Sequence, residues 1–106
     1  MSITMLHKEA KVPTVGTPGS AGIDLCALED TLIVGSSSEI IRTGINVRIP
    51  EGFFGLLTHR SSLAFGLDCI VSLGIIDSDF EGEIKVKVFC LSPEGAFIPG
   101  DRKSVV

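Results

Sequence analysis

Long apolar runs, a surplus of positive charge and an even set of cysteines are all missing from this chain of 106 residues. The longest apolar stretch, residues 69–76, is far shorter than the ~20 residues that a membrane-spanning helix needs. Lys and Arg number 9 against 13 Asp and Glu, and the pI is about 5.0, whereas nucleic-acid-binding domains are usually basic. We therefore expect neither a nucleic acid nor a membrane among its partners.

The three cysteines, Cys26, Cys69 and Cys90, are an odd number and lack a C-x-x-C spacing. This set excludes a zinc knuckle and a complete disulfide framework. It predicts buried thiols in a protein of a reducing compartment. The first eight residues also lack a charged segment followed by a long apolar core, so we expect no secretory signal and an intracellular location, cytoplasmic or nuclear.

The apolar content is high for so short a chain, at 44% of residues with a mean hydropathy of +0.45. A chain of this length forms one domain, expected here over residues 1–106, and buries about 60–65% of its unfolded surface. Surplus apolar surface on a small domain usually marks a subunit interface. The composition therefore predicts an oligomer.

Periodicity and turn residues predict an all-β fold. Twelve Gly and five Pro leave few windows for a helix of normal length. In residues 45–49 and 84–88, apolar side chains alternate with polar ones, which is typical of half-buried antiparallel strands. Further strands are expected at residues 23–27, 31–34, 39–42, 53–58, 67–71 and 96–98. One short helix is expected over residues 61–65, with a serine as N-cap and Gly66 as its stop.

Two segments carry polar residues that suit an anionic ligand. In residues 18–25, a glycine-rich turn enters a strand with Asp24 as its outward carboxylate, either a solvated turn residue or part of a site. In residues 55–64, a strand delivers Arg60, Ser61 and Ser62 to the start of the expected helix. A guanidinium, hydroxyl groups and helix N–H groups suit a phosphate, and the alternative is an ordinary helix cap beside a surface arginine.

A third segment, residues 74–84, joins two strands through an acidic turn that Gly82 closes. It contains four carboxylates, Asp77, Asp79, Glu81 and Glu83, with Phe80 among them. Four like charges repel one another unless a cation or bound water uses them, and an exposed aromatic ring usually covers something. We interpret the segment as part of a site, and the alternative is a charged hairpin tip.

Together these segments resemble the trimeric deoxyuridine triphosphatases (dUTPases). Three of the family's motifs match residues 21–25 (AGIDL), 60–64 (RSSLA) and 74–83 (GIIDSDFEGE), and residues 99–102 (PGDR) resemble the opening of the fourth. The resemblance runs from about Lys11 to Arg102. It implies a β-jelly-roll homotrimer with active sites between subunits. It also implies the hydrolysis of dUTP to dUMP and pyrophosphate, which belongs to nucleotide metabolism and keeps uracil out of DNA.

The resemblance also assigns roles to residues. Asp77 matches the catalytic carboxylate, which orients and deprotonates the water that attacks the α-phosphorus. Asp24 matches the aspartate that supports the metal-water and phosphate region. Arg60, Ser61 and Ser62 match the phosphate-binding loop. Mg²⁺ is implied as a cofactor bound mainly through the substrate phosphates, with no protein ligand assigned.

The strands on either side of Gly74 match the hairpin that receives uracil and reads it largely through main-chain groups. The resemblance implies that Gly74 itself and Val71, Ile75, Ile76 and Lys85 bind the substrate there. Phe80 stands where the family usually has a tyrosine, whose ring lies under the deoxyribose and excludes a 2′-hydroxyl. Phenylalanine keeps the ring and loses the phenol, so we expect sugar discrimination to survive.

The sequence departs from the family near residue 102. The fourth motif continues here as KSVV, and the chain stops before the glycine-rich fifth motif, so we expect a dUTPase-like domain truncated after the start of motif four. One alternative is therefore a non-catalytic trimeric module with a structural or regulatory role. Another is dCTP deamination, which needs a glutamate where this chain has Lys87 and is for that reason disfavoured.

Overall fold

The computed structural model describes residues 2–15, 17–19, 22–59, 61–100 and 103–105. Strands and one short helix, α1 at Ser61–Gly66, make up its regular structure. The strands are β1 Ser2–Met5, β2 Asp24–Cys26, β3 Thr31–Ile33, β4 Ser38–Arg42, β5 Ile45–Arg48, β6 Gly55–Leu57, β7 Cys69–Val71, β8 Gly74–Ile76, β9 Lys85–Cys90, β10 Ala96–Ile98 and β11 Lys103–Val105. The expected all-β fold with a short helix is confirmed.

Antiparallel pairing joins strands that are mostly distant in sequence. The strands β4, β9 and β7 form a three-stranded sheet in that order, and the pairs β1–β5, β3–β10, β2–β11 and β6–β8 form small two-stranded sheets. Such pairing between distant strands is typical of jelly rolls, in which the chain crosses repeatedly between sheets. Within the described residues no helix is long and apolar enough to cross a membrane.

The core follows the alternation expected from the sequence. Along β9, Val86, Val88 and Cys90 are buried whereas Lys85 and Lys87 are exposed. The side chains below 2% exposure come from several strands and from α1, which binds the small sheets into one core: Ile33, Ile45, Leu63, Cys69, Ile84, Val88 and Cys90. Cys69 and Cys90 are therefore buried as predicted, and Cys26 is half-buried.

Several element bounds differ from the sequence prediction. The segment expected over 67–71 becomes a strand only at Cys69, because Asp68 has a positive φ of 53° after α1. Residues 53 and 54 are exposed and precede β6. The helix begins at Ser61 and ends at Gly66, so both serines are helical residues, and the position before them lies outside the described residues. The prediction did not include β1, whose four residues are all exposed, or β11.

Candidate active site

A cavity of about 180 Å³ opens beside β8 and the start of β9. Ligand pockets are usually about 300–1,000 Å³, so this cavity suits one ring of a ligand and not a whole nucleotide. Its wall is mainly apolar, with one ammonium group from Lys85, and the lining residues are Leu57, Gly74, Ile75, Ile76, Phe80, Ile84 and Lys85. Five of these residues were predicted to bind substrate: Gly74, Ile75, Ile76, Phe80 and Lys85.

Glycines allow β6 and β8 to pair closely at the back of this cavity. Gly74 lies opposite Leu57, and Gly55 lies opposite Ile76. A Cβ atom on Gly74 would come 3.3 Å from Leu57 Cδ1, and one on Gly55 would come 3.2 Å from Ile76 Cβ. Gly74 has no side chain of its own and Leu57 packs directly against its main chain, so the close pairing of β6 and β8 depends on these two glycines.

The acidic turn begins directly at the end of β8. The backbone amide of Phe80 donates a hydrogen bond to the carbonyl oxygen of Asp77 at an N···O distance of 3.1 Å, which closes a four-residue turn. Asp77 and Asp79 are exposed, and the Phe80 ring, with the residue 39% exposed, lines the cavity. The turn thus places a solvent-accessible carboxylate three residues from the aromatic wall of the cavity.

Two of the four carboxylates, those of Glu83 and Glu81, lie near arginine side chains. Arg42 donates to Glu83 through Nη2 to Oε1 at 2.9 Å and through Nε to Oε2 at 3.0 Å. The Gly44 amide also donates to Glu83 Oε2 at 3.1 Å. The hydrogen bond from Arg42 is the main cause that lowers the pKa of Glu83 and raises that of Arg42. Arg48 lies 4.0 Å from Glu81 at the exposed surface.

The prediction that Asp24 presents an outward carboxylate is wrong. The residue is only 6% exposed. On one side of β2 it exchanges two backbone hydrogen bonds with Thr14, at 2.7 and 3.2 Å, and on the other side it lies opposite Val105 of β11. Chain segments therefore flank β2 on both edges. Asp24 is not among the residues that line the cavity beside β8.

The predicted phosphate loop is described only in part. Ser61 and Ser62 are the first residues of α1, which Leu63, 1% exposed, anchors in the core, and Arg60 lies outside the described residues. Val71, the remaining predicted base contact, is buried on β7 and is not among the described residues that line the cavity. The roles of these four residues stay predictions.

The sequence did not single out several residues that the structure associates with this region. Leu57 and Ile84 line the cavity, and Arg42 holds the acidic turn from β4. His59 Nδ1 is buried and has no hydrogen-bond partner in the described part of the chain. Leu57, Ile84 and Arg42 look like ordinary strand residues in the sequence, and only their contacts with distant parts of the chain distinguish them.

The fold is that of an all-β jelly-roll protein, and a small cavity lies beside its strand β8. The sequence pattern of the dUTPase family matches residues 8–103. A relative from Corynebacterium glutamicum is named deoxyuridine 5′-triphosphate nucleotidohydrolase. It is 42% identical over an alignment 106 positions long, which covers 96% of this chain and 71% of the relative. A relative of the same name from Paramecium bursaria Chlorella virus 1 is 34% identical, covering 94% and 72%. The chain belongs to the dUTPase family.

Solved structures share the fold at lower sequence identity. The dUTPase of Staphylococcus bacteriophage 80alpha superposes with a TM-score of 0.90 at 20% identity, over 98% of this chain and 84% of that one. A mutant dUTPase from phage phi11 of Staphylococcus aureus gives 0.88 at 21% identity, over 98% and 85%, and its structure shows a coordinated structural Mg(II) ion. At these identities the likeness establishes the jelly-roll-like fold.

Proposed function

We propose that this chain hydrolyses dUTP to dUMP and pyrophosphate. The observation that carries the proposal is the cavity beside β8, because five predicted substrate-binding residues line it and the predicted catalytic carboxylate follows β8 directly, at the start of the acidic turn. Relatives at 34–42% identity are named for this activity. In a cell the reaction would belong to nucleotide metabolism and would keep uracil out of DNA.

The cavity would receive the uracil base, because its volume suits one ring, and the deoxyribose would lie at its edge. Gly74 lines the cavity and has no side chain of its own, so its main chain could approach the edge of the base. The Phe80 ring would lie against the deoxyribose, where a 2′-hydroxyl would have no room. Lys85 and Ile75 border the same space from the two strands.

Asp77 would act as the general base. Its carboxylate is exposed at the start of the turn, so a water molecule can reach it. That water would attack the α-phosphorus and pass its proton to Asp77, while the bond from the α-phosphorus to the bridging oxygen breaks and pyrophosphate leaves. A positioned carboxylate typically accelerates such a step by about 10²–10⁴-fold.

Arg60, Ser61 and Ser62 would bind the phosphates, and Asp24 would support that region from β2. Mg²⁺ is typically held by one or two carboxylates, water molecules and substrate phosphates. We propose that the substrate phosphates supply most of the oxygens that would hold the cation. Bound there, Mg²⁺ would neutralise charge on the phosphates.

A homotrimer would complete the site. Large apolar side chains are exposed on the single chain, including Phe65 at 88%, and Leu32 lies directly opposite Phe97 across β3–β10 with both exposed. Subunit association would bury such surface. The dispersal of Asp24, Ser61 and Asp77 over β2, α1 and the acidic turn is consistent with a site shared between subunits. We propose an intracellular location, cytoplasmic or nuclear, because the number of cysteines is odd and does not suit a disulfide framework.

The test is pyrophosphate release from dUTP in the presence of Mg²⁺, measured beside dCTP, dTTP and UTP. We expect release from dUTP alone at low enzyme concentration and its loss when Mg²⁺ is chelated. Equal release from all four nucleotides would refute the assigned substrate. Release of ammonia from dCTP would instead establish a deaminase.

A further inference from the structure

Residues 42–46, at the junction of β4 and β5, donate hydrogen bonds to three consecutive residues at the end of the acidic turn, residues 82–84. The Asn46 side chain donates from Nδ2 to the carbonyl oxygen of Gly82 at 2.6 Å. Glu83 accepts the bidentate hydrogen bonds from Arg42. Thr43 Oγ1 donates to the carbonyl oxygen of Ile84 at 2.6 Å. None of residues 42–46 lines the cavity.

The hydrogen bonds from residues 42–46 to residues 82–84 form a clamp on the acidic turn. Gly82 connects this clamp to the cavity wall, because it lies against the ring of Phe80. A Cβ atom on Gly82 would come 3.0 Å from Phe80 Cζ and 3.2 Å from Cε1. The ring is therefore confined between the cavity that it lines and the Gly82 backbone that Asn46 holds. A shift of Gly82 would change the space available to the ring.

We propose that Asn46 is a positioning residue that fixes the Phe80 ring through the Gly82 carbonyl and thereby sets the discrimination between deoxyribose and ribose. This inference rests on the proposed function, since it assumes that the ring meets the sugar. Arg42 and Glu83 anchor the next residue of the turn, so that Gly82 and Glu83 are held together from one side.

The energetics favour Asn46 as the sensitive member of this clamp. Thr43 and Ile84 are buried, so replacing Thr43 would unfold part of the core. Asn46 is half-buried, and its loss leaves a carbonyl that water can reach. Removing it costs the net value of one hydrogen bond, which corresponds to roughly a two- to tenfold change in an equilibrium constant. The chain should therefore fold without the Asn46 side chain while the ring is less well fixed.

Four variants separate the roles. Asn46→Ala removes the donor, and Asn46→Asp keeps the shape of the side chain but presents oxygens to the Gly82 carbonyl. Asn46→Gln retains an amide donor and should rescue. Arg48→Ala is the matched control, because Arg48 lies on the same strand and contacts the same turn only at 4.0 Å through Glu81, and exposed pairs at such distances contribute little.

Two measurements test the proposal. The first is the NMR chemical shift of the Gly82 α-protons, which the neighbouring ring displaces and which needs no substrate. The second is calorimetric binding of dUMP and UMP. We expect the Ala and Asp variants to lose most of the ring-induced shift and to lower the dUMP-over-UMP preference by about three- to tenfold. The Gln and Arg48→Ala variants should keep both.

An unchanged Gly82 shift in both the Ala and Asp variants would overturn the proposal, and so would an unchanged dUMP-over-UMP preference after the shift is lost. Equal weakening of dUMP and UMP would also overturn it, because that result indicates a general structural role. A wild-type chain that binds dUMP no better than UMP would refute the proposed function instead. The Gly82 shift would then still show whether Asn46 positions the ring.

Discussion

The backbone amide of Phe80 donates to the carbonyl oxygen of Asp77, so the aromatic wall of the cavity and the proposed general base are the fourth and first residues of one turn. The ring and the carboxylate therefore cannot move far apart without breaking that hydrogen bond. Because β8 enters this turn and residues 42–46 hold its exit, both functional side chains are positioned by the same turn.

Replacing Asp77 with Asn should abolish hydrolysis and leave binding largely intact. The amide keeps the shape of the carboxylate but cannot accept the proton of the attacking water, so turnover should fall by about 10²–10⁴-fold. Pyrophosphate release and calorimetric binding of a non-hydrolysable dUTP analogue measure the two effects. Asp79→Asn is the matched control in the same exposed turn. Turnover at the wild-type rate in the Asp77 variant would remove Asp77 from the mechanism.

Replacing Gly82 with Ala should displace the Phe80 ring. The new Cβ would stand 3.0 Å from Phe80 Cζ, and the ring is the part that can shift. We expect the KM for dUTP to rise several-fold, with a melting temperature close to that of the wild type. Gly66→Ala is the control, because a Cβ there meets nothing within 4 Å. An unchanged KM in the Gly82 variant would show that the ring does not contact the substrate.

Periodicity predicted the strands that face the core on one side, as for β9, because a half-buried strand shows its exposure pattern in its own residues. It did not predict β1: the residues Ser2–Met5 alternate polar and apolar, but the run is short, and the structure leaves all four residues exposed. Asp24 was placed on the surface because its burial depends on Thr14 and β11, which the local sequence does not specify.

Contacts over long sequence separations explain why the clamp on the acidic turn could not be predicted. Arg42 is 41 residues from Glu83, and Asn46 is 36 residues from Gly82. The sequence predicted that four carboxylates in one turn repel one another unless a cation or bound water meets them. It did not indicate that arginines on β4 and β5 approach two of them, because that depends on how distant strands meet.

The Arg42–Glu83 pair should make stability depend on pH. The hydrogen bond from Arg42 holds the pKa of Glu83 below its ordinary value in the folded chain. The pair therefore contributes stability above the pKa of an unfolded glutamate, and this contribution is lost as the pH falls through the lowered pKa of the folded chain. Glu83→Gln should melt below the wild type at neutral pH, and the gap should close on acidification.

Thermal unfolding of four chains over a pH series tests this coupling. Arg42→Ala should show the same gap as Glu83→Gln, and the double variant should add little to either single change. Because the Glu83 side chain is 14% exposed and that of Arg42 49%, added salt should reduce the gap only in part. A gap between the wild type and Glu83→Gln that stays constant with pH would contradict the assigned pair.

The proposed assembly predicts a mass in solution near three times the 11.2 kDa of one chain. Sedimentation equilibrium at micromolar concentration measures it. Association would cover the exposed apolar side chains, among them Leu32 and Phe97 on paired strands. A stable monomer under these conditions would exclude the trimer and, with it, a site shared between subunits.

Replacing Arg60 with Ala should weaken the binding of a non-hydrolysable dUTP analogue. A hydrogen bond from a guanidinium to phosphate is typically worth about 1.5–3 kcal/mol, so the dissociation constant should rise about tenfold or more. Arg48→Ala is the matched control, because it removes the same charge from an exposed arginine on β5 and should leave the affinity unchanged. Equal losses in both variants would indicate attraction by overall charge, and no loss in either would make Arg60 a structural residue. Only a loss confined to the Arg60 variant supports the predicted phosphate loop.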